Sequence, residues 1–298
     1  MVQGTVQEAY VVDTLHLEPV KFPDYATVYA NIKSRQIDAW VAPSQQASGT
    51  VQPGDPARIV ENTFSLDNFV AYAVAKENKP LIDALKDTDY ALTHMPAHDA
   101  QDDFPFDIEG IREWDIIILS DIGASTFLLP QRVWVHSQTA PNRLRLLKQW
   151  VEEGGKLVMA GGYFSFQGID GKARWRNTAV EEVLPVTCHP WDDRIEIPEG
   201  AKADLVAPGH ALLKDMPADW PPVLGVNEVM LKDGAELVAR LPEDQGGHPL
   251  LACGRYGKGR SVVWTSDMSP HWLSPEFCAW QGYRQLWLNI FGWLQAQD

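Results

Sequence analysis

The stretch that decides the fold is a short apolar run between two glycine pairs: residues 154–162 read GGKLVMAGG, and residues 163–168 continue as YFSFQG. Lys156–Ala160 has the length and composition of a buried strand. The glycine pair Gly161-Gly162 indicates a tight turn where that strand ends. A buried strand that ends in a glycine turn is typical of an α/β sheet.

Helical patterns alternate with further apolar runs on both sides of this strand. Residues 141–153 place apolar side chains at helical spacing, with a start signal at Asn142 and a stop at Gly154. Residues 79–86 predict a second helix. Four more runs predict strands: Phe69–Ala75, Ala91–Met95, Asp115–Leu119 and Ser261–Thr265. The alternation predicts an α/β protein with a mostly parallel open sheet and helices on both faces.

Residues 173–260 differ in composition from the rest of the chain, with more prolines and shorter predicted strands. We expect a β-rich insertion or sheet extension there, with hairpin-like turns at 232–234 and 256–259. The predicted strands are Arg194–Ile197, Glu236–Leu241 and Leu250–Cys253. Residues 275–295 are aromatic and helical in spacing, which predicts a closing helix packed on the sheet.

Charge and composition exclude several classes of partner. The 298 residues include 25 Lys and Arg against 40 Asp and Glu, a net charge of −15. This charge repels phosphate backbones and anionic lipid, so we expect neither a nucleic-acid nor a membrane partner. The start of the chain lacks the features of an export signal, so we expect a cytoplasmic protein. A small-molecule ligand and a homo-oligomer stay open as partners.

The cysteines predict neither disulfides nor a metal site. Cys188, Cys253 and Cys278 are odd in number and widely spaced. His94 and His98 lie four residues apart, but the intervening Pro96 rules out a helical metal pair. We therefore expect no metal ligands and no cofactor.

Four segments carry a family resemblance, and they occur in the family's order: Thr93–His98, Asp115–Ala124, Gly154–Gly168 and Ser266–Trp272. From about residue 81 onward, the chain resembles the class I glutamine amidotransferase-like superfamily, in particular a branch of uncertain activity. The resemblance implies a flavodoxin-like sheet with its site at the carboxyl ends of the strands. It also implies a nucleophilic cysteine on the turn after residues 156–160, a position that falls at about Gly162 here. We therefore expect a binding or scaffold protein that is not a glutaminase.

A second resemblance covers residues 1 to about 85 and rests on Gly4–Glu8, on Ile37–Ser44, and on a predicted strand and helix at Phe69–Ala75 and Pro80–Leu85. These are similar to the second lobe of the amino-acid-binding proteins that serve ABC transporters. The amidotransferase-like part lacks the family's own first strand. We expect residues 1–66 to form a binding-protein-like lobe and residues 67–298 the amidotransferase-like domain, with residues 69–75 replacing the lost strand. The chain would then be a natural or engineered chimera, and an amino-acid-binding remnant is an alternative function.

Candidate ligand-binding residues follow two of the predicted strands. Asp121 and Gly123 follow the strand 115–119, and Gly161, Gly162 and Tyr163 follow the strand 156–160. Strand ends are where such sheets bind ligands, and a glycine pair can present an anion-binding nest. The alternatives are a helix cap for the aspartate and a simple tight turn for the glycines.

Candidate catalytic residues follow the strand 261–265. His271 lies near the position that the resemblance gives to a catalytic histidine, and Asp267 lies four residues before it. An imidazole beside a carboxylate can act as a general base, and Ser165 offers a nucleophile. These residues support an alternative hypothesis, a hydrolase of small esters, lactones or amides. A structural role for His271 stays open.

Overall fold

A computed structural model of the chain describes residues 11–12, 16, 18–41, 51, 57 and 79–296. The chain divides into two compact units, residues 1–72 and residues 73–298. The predicted strand at 69–75 and the binding-protein-like segment at 4–8 lie outside the described residues. In the first unit, helix α1 (Tyr25–Lys33) begins at Asp24, whose side chain accepts a hydrogen bond from the Thr27 N–H. Its buried side chains are Val28 and Tyr29.

The second unit combines nine α-helices and ten strands among its described residues. Its helices are α2 (Lys79–Ala84), α3 (Ala97–Asp103), α4 (Ile108–Arg112), α5 (Ala124–Leu128), α6 (Gln131–Trp134), α7 (Arg143–Glu153), α8 (Ala179–Val183), α9 (Pro275–Ala279) and α10 (Gln281–Gln295). Its strands are β1 (Ile117–Ser120), β2 (Lys156–Ala160), β3 (Val186–Cys188), β4 (Arg194–Ala201), β5 (Asp204–Leu205), β6 (Val223–Asn227), β7 (Val229–Leu231), β8 (Glu236–Arg240), β9 (Pro249–Tyr256) and β10 (Gly259–Trp264).

Six strands form the main sheet in the order β1-β2-β10-β9-β8-β5. β1, β2 and β10 are parallel, whereas β9, β8 and β5 join by antiparallel pairings. The α/β class is confirmed, but the predicted mostly parallel sheet is wrong for the described strands. The reason is loop length: Gly257 and Lys258 alone connect β9 to β10, and a loop this short joins only antiparallel strands.

Helices cover both faces of the sheet. Val158 and Ala160 of β2 pack into a core with α10, and Leu157 and Met159 pack on the other face into a core with α7. Alternate residues of one strand thus face two cores, as strand geometry requires. The predicted helix at 141–153 is confirmed as α7, because the Asn142 side chain caps its first turn and Gly154 ends it.

Arg143 lies at the start of α7 and is fully buried. Its guanidinium donates to five backbone carbonyl oxygens in and after α3 and α5, at 2.7–3.2 Å: those of Ala100, Gln101, Phe104, Thr126 and Phe127. Burial lowers the pKa of Arg143 to about 10, so the side chain keeps its charge at neutral pH. This one residue therefore ties the ends of three helices together.

Other local predictions fail. Residues 91–95 form no strand; they lie beside a cavity of about 840 Å³ that also borders β1. The turn at 232–234 is not a hairpin, because β7 pairs with β3 and β8 pairs with β9. The closing helix is divided at Trp280 into α9 and α10. None of the described helices combines the length and the apolar character that a membrane-spanning helix requires.

Candidate functional site

The carboxyl ends of three neighbouring parallel strands meet at one edge of the sheet. Ser120 of β1 is paired with Ala160 of β2, which is paired with Trp264 of β10. The residues that follow these strands are therefore brought together, although they are far apart in sequence. This edge is where open α/β sheets place ligands.

Two carboxylates converge above Gly162, the second residue after β2. A Cβ atom built on Gly162 would lie 2.8 Å from Asp121 Oδ1 and 2.9 Å from Asp267 Oδ1. Gly162 also has φ of +139°, a backbone conformation that disfavours any side chain. Glycine is thus the residue that this position admits, and the structure brings Asp121, Gly162 and Asp267 together.

His271 is held by the second of these carboxylates. Its Nδ1–H donates to Asp267 Oδ2 at 2.6 Å, and the same oxygen accepts the Trp272 N–H at 2.9 Å. This hydrogen bond to Asp267 raises the pKa of His271. The Asp267 side chain is 10% exposed and that of His271 is 45% exposed. The carboxylate therefore fixes the ring while the imidazole reaches solvent.

Asp121 faces the same glycine from the end of β1. Its Oδ1 accepts the Phe164 N–H at 2.7 Å. Burial raises the pKa of Asp121 to about 6, and the negative charge of Asp267 adds to this rise. The helix-cap alternative is wrong, since α5 begins after Gly123 and has no side-chain cap. Gly123 itself lies against the Ala173 backbone.

The backbone N–H groups of the turn after β2 donate hydrogen bonds to other parts of the protein. The Gly161 N–H donates to the Trp264 carbonyl and the Gly162 N–H to Asn227 Oδ1. These bonds favour the tight-turn alternative over an anion-binding nest. Ser165 is 2% exposed, and its Oγ accepts the Asp121 N–H at 3.0 Å. The predicted nucleophile is thus engaged in holding the strand end.

Aromatic and polar side chains form a wall beside His271. The Tyr163 ring meets the imidazole edge to face, with centroids 4.5 Å apart. The Tyr163 hydroxyl and the Trp272 Nε1–H donate to the two oxygens of Glu196, each at 2.9 Å. Arg194 lies over the Tyr163 ring, 4.6 Å from its centroid. The sequence analysis identifies Tyr163 as a site residue but not Arg194, Glu196 or Trp272.

Two buried side chains, Asn227 and Asp193, support the turn after β2. Asn227 and Asp193 are both 0% exposed, and Asn227 Nδ2 donates to Asp193 Oδ1 at 2.8 Å. The Asp193 carboxylate also accepts the backbone N–H groups of Gln167 and Gly168. Burial raises the pKa of Asp193. The one available sequence signal was an asparagine ending the apolar strand β6.

Comparisons with known proteins agree with this architecture. The chain is 38% identical to "Cytoplasmic Protein STM1381 from Salmonella typhimurium LT2", with a TM-score of 0.70 over 74% of this chain and 89% of that one. It is also 38% identical to "Cytoplasmic Protein STM3548 from Salmonella typhimurium", with a TM-score of 0.69 over 72% and 85%.

Among curated proteins, no sequence matches this chain significantly. A family profile described as "Putative glutamine amidotransferase" matches residues 59–296. This match spans well over half of the chain, and the two Salmonella relatives exceed 30% identity over most of their length. The chain therefore belongs to the glutamine amidotransferase-like family that this profile describes.

Proposed function

We propose that this family member does not hydrolyse glutamine through a thioester. A side chain at Gly162 would crowd the Asp121 and Asp267 carboxylates, and burial raises the pKa of all three thiols. For Cys253 the pKa is about 12 and for Cys278 about 11. A thiol with such a pKa is protonated at neutral pH and is a poor nucleophile.

The test of this part is ammonia release from glutamine. We expect no release above background from the purified protein, with an active glutaminase as the positive control. Release of ammonia that disappears in a Cys278→Ser, Cys253→Ser or Cys188→Ser variant would show the proposal to be wrong.

We further propose that the site hydrolyses a small uncharged ester, lactone or amide by acid–base chemistry. One observation carries this proposal: Asp121 and the Asp267–His271 pair converge around Gly162 at the carboxyl ends of three strands. The roles follow from the raised pKa values of Asp121 and His271. Asp121, with a pKa of about 6, is ionised at neutral pH and accepts a proton. For His271, the hydrogen bond to Asp267 raises the pKa and so favours the protonated ring that can donate a proton.

In each of the two side chains, one atom is held by a hydrogen bond and the other can take part in the reaction. Asp121 Oδ1 holds the Phe164 N–H, so Oδ2 accepts the proton of a water molecule. The water oxygen bonds to the carbonyl carbon, and the bond from that carbon to oxygen or nitrogen breaks. The leaving group takes its proton from His271 Nε2, because Nδ1 is held by Asp267. Water replaces Ser165 as nucleophile, since the Ser165 hydroxyl is buried.

The charge of the site limits the substrate. Asp121, Glu196 and Asp267 carry negative charge around the imidazole, and Arg194 is already paired with Asp192 at 2.8 Å. An anionic substrate would be repelled by these carboxylates. The substrate class is therefore uncharged.

The decisive experiment is hydrolysis of a panel of uncharged esters, lactones and amides. We expect a bell-shaped profile of kcat against pH, which falls below about pH 6 as Asp121 takes up a proton. Asp121→Asn and His271→Gln should each reduce kcat by about 100-fold or more. The matched control is His98→Gln, a half-exposed histidine on α3. Turnover that survives both site substitutions would contradict the proposal.

A second candidate is the binding protein without turnover. The observation that favours it is the internal use of the Gly161, Gly162 and Phe164 amides, which leaves none of these three to stabilise an oxyanion. This candidate predicts that uncharged small molecules raise Tm but are not hydrolysed. We propose a flavodoxin-like core and a cytoplasmic location for either function, the latter from the titles of the Salmonella relatives.

A further inference from the structure

A second cluster of chemically active side chains lies outside the site at Gly162. His210 Nε2 lies 3.4 Å from Glu236 Oε2 and 3.7 Å from Cys253 Sγ. The three atoms all lie within 4.8 Å of one another. In the described part of the chain, no other group of three His, Cys, Asp or Glu side chains meets this distance limit.

The fold, not sequence proximity, brings these residues together. Glu236 of β8 and Cys253 of β9 are direct partners across the antiparallel pair, so their side chains share one face of the sheet. His210 precedes the short 3₁₀-helix Ala211–Leu213, and its Nδ1 accepts the Leu212 N–H at 3.1 Å. Two rigid strands therefore set the positions of Glu236 and Cys253, and the Leu212 N–H orients the His210 ring before an ion binds.

The two distances from His210 Nε2 fit a tetrahedral ion. Zinc binds imidazole nitrogen at about 2.0–2.1 Å, carboxylate oxygen at about 2.0–2.2 Å and thiolate at about 2.3 Å. Tetrahedral angles then separate nitrogen from oxygen by about 3.4 Å and nitrogen from sulfur by about 3.6 Å. The separations here are 3.4 Å and 3.7 Å. One nitrogen, one oxygen and one sulfur ligand are a set that suits a borderline transition-metal ion.

The Cys253 sulfur is buried, but it lies next to side chains that reach solvent. Cys253 is fully buried, the His210 side chain is 13% exposed and the Glu236 side chain is 57% exposed. An ion can therefore enter past Glu236 and reach the sulfur. Three protein ligands leave a fourth position for water.

We propose that His210, Glu236 and Cys253 bind one divalent ion of the Zn²⁺ or Co²⁺ class. On binding, the Cys253 thiol loses its proton to solvent and the sulfur bonds to the ion. The proton on His210 Nε2 moves to Nδ1, and the Leu212 N–H gives up its hydrogen bond. Binding at neutral pH therefore releases one proton for each ion. This site is independent of the proposed hydrolase.

The test uses Co²⁺ with the full chain under reducing conditions, and calorimetry in buffers of different ionisation enthalpy. We expect one Co²⁺ per chain, one proton released and a thiolate charge-transfer band in the near ultraviolet. Cys253→Ser should remove the band, and Glu236→Gln should weaken binding at least tenfold. Cys278→Ser, which changes a cysteine outside the cluster, should bind Co²⁺ like the wild type.

The exposed position of Glu236 keeps this test informative, because its substitution leaves the core intact. Circular dichroism checks that each variant is folded. The proposal is overturned by the absence of a charge-transfer band, by a band that persists in Cys253→Ser, or by unchanged affinity in Glu236→Gln.

Discussion

At the scale of single residues, the carboxyl group of Asp121 combines a chemical role with a cost in stability. Its pKa of about 6 compares with an ordinary value of 3.8. Between pH 3.8 and about pH 6, Asp121 loses its proton in the unfolded chain but keeps it in the folded chain. The free energy of unfolding therefore falls as the pH rises through this range. Above about pH 6 the loss is complete and amounts to about 3 kcal/mol at most.

The variant Asp121→Asn removes this cost. We expect it to gain stability over the wild type between about pH 4 and 6, by about 1–3 kcal/mol, with a constant difference at higher pH. Urea denaturation at several pH values measures the difference. Asp103→Asn, at an exposed position of α3, should show no such trend. An Asp121→Asn variant whose relative stability does not change with pH would mean that the Asp121 pKa is not raised.

At the scale of elements, α7 depends on Arg143 for its connection to α3 and α5. Arg143→Met deletes the guanidinium and leaves five buried or partly buried carbonyl oxygens without its donors. We expect the free energy of unfolding to fall by about 3–5 kcal/mol. Arg145→Met removes the same charge from an exposed position of the same helix and should change stability by less than about 0.5 kcal/mol. Equal effects of the two substitutions would refute this account.

Local sequence signals predict elements but not how they are joined in space. The α7 helix was predicted because its cap, its apolar spacing and its terminal glycine are all contiguous. The burial of Arg143 cannot be predicted in this way, because the five carbonyl oxygens that accept its hydrogen bonds belong to two other helices and the residue that follows one of them. Residues 91–95 were assigned to a strand from their apolar character alone, although a strand also needs a hydrogen-bonded neighbour.

The same limit applies to the sites. Asp121, Gly162 and His271 could be placed at one edge, since each follows a strand and parallel strands end together. Glu196 and Asn227 could not, because they reach this edge from β4 and β6, strands outside the main sheet. The cluster of His210, Glu236 and Cys253 depends on the register of β8 against β9, which no sequence spacing reveals.

At the scale of the whole molecule, the sequence before residue 79 includes the predicted strand at 69–75. The family match begins at residue 59, so it includes the run 69–75 that lies outside the described residues. Among the described residues, β1 pairs only with β2. We keep the proposal that residues 69–75 supply the family's missing strand.

Truncation tests this proposal. Removing residues 1–66 should leave a folded protein, whereas removing residues 1–78 should give insoluble protein. If residues 69–75 form that strand, Val70→Asp should unfold the amidotransferase-like part, because burying a charge on a central strand costs several kcal/mol out of a total of about 5–15 kcal/mol. Expression yield and denaturation curves give the result. A fragment 79–298 that folds as a stable, cooperative monomer would disprove the proposal.

The crowding around Gly162 also has a consequence for protein engineering. A cysteine placed at this position by one substitution would bring its Cβ within 3 Å of Asp121 Oδ1 and Asp267 Oδ1. A cysteine nucleophile designed on this turn would therefore need compensating changes at Asp121 and Asp267, which follow the two strands that flank β2. A change at Asp267 would also remove the hydrogen bond that holds His271. A new nucleophile and the existing carboxylate–imidazole pair thus compete for the same space.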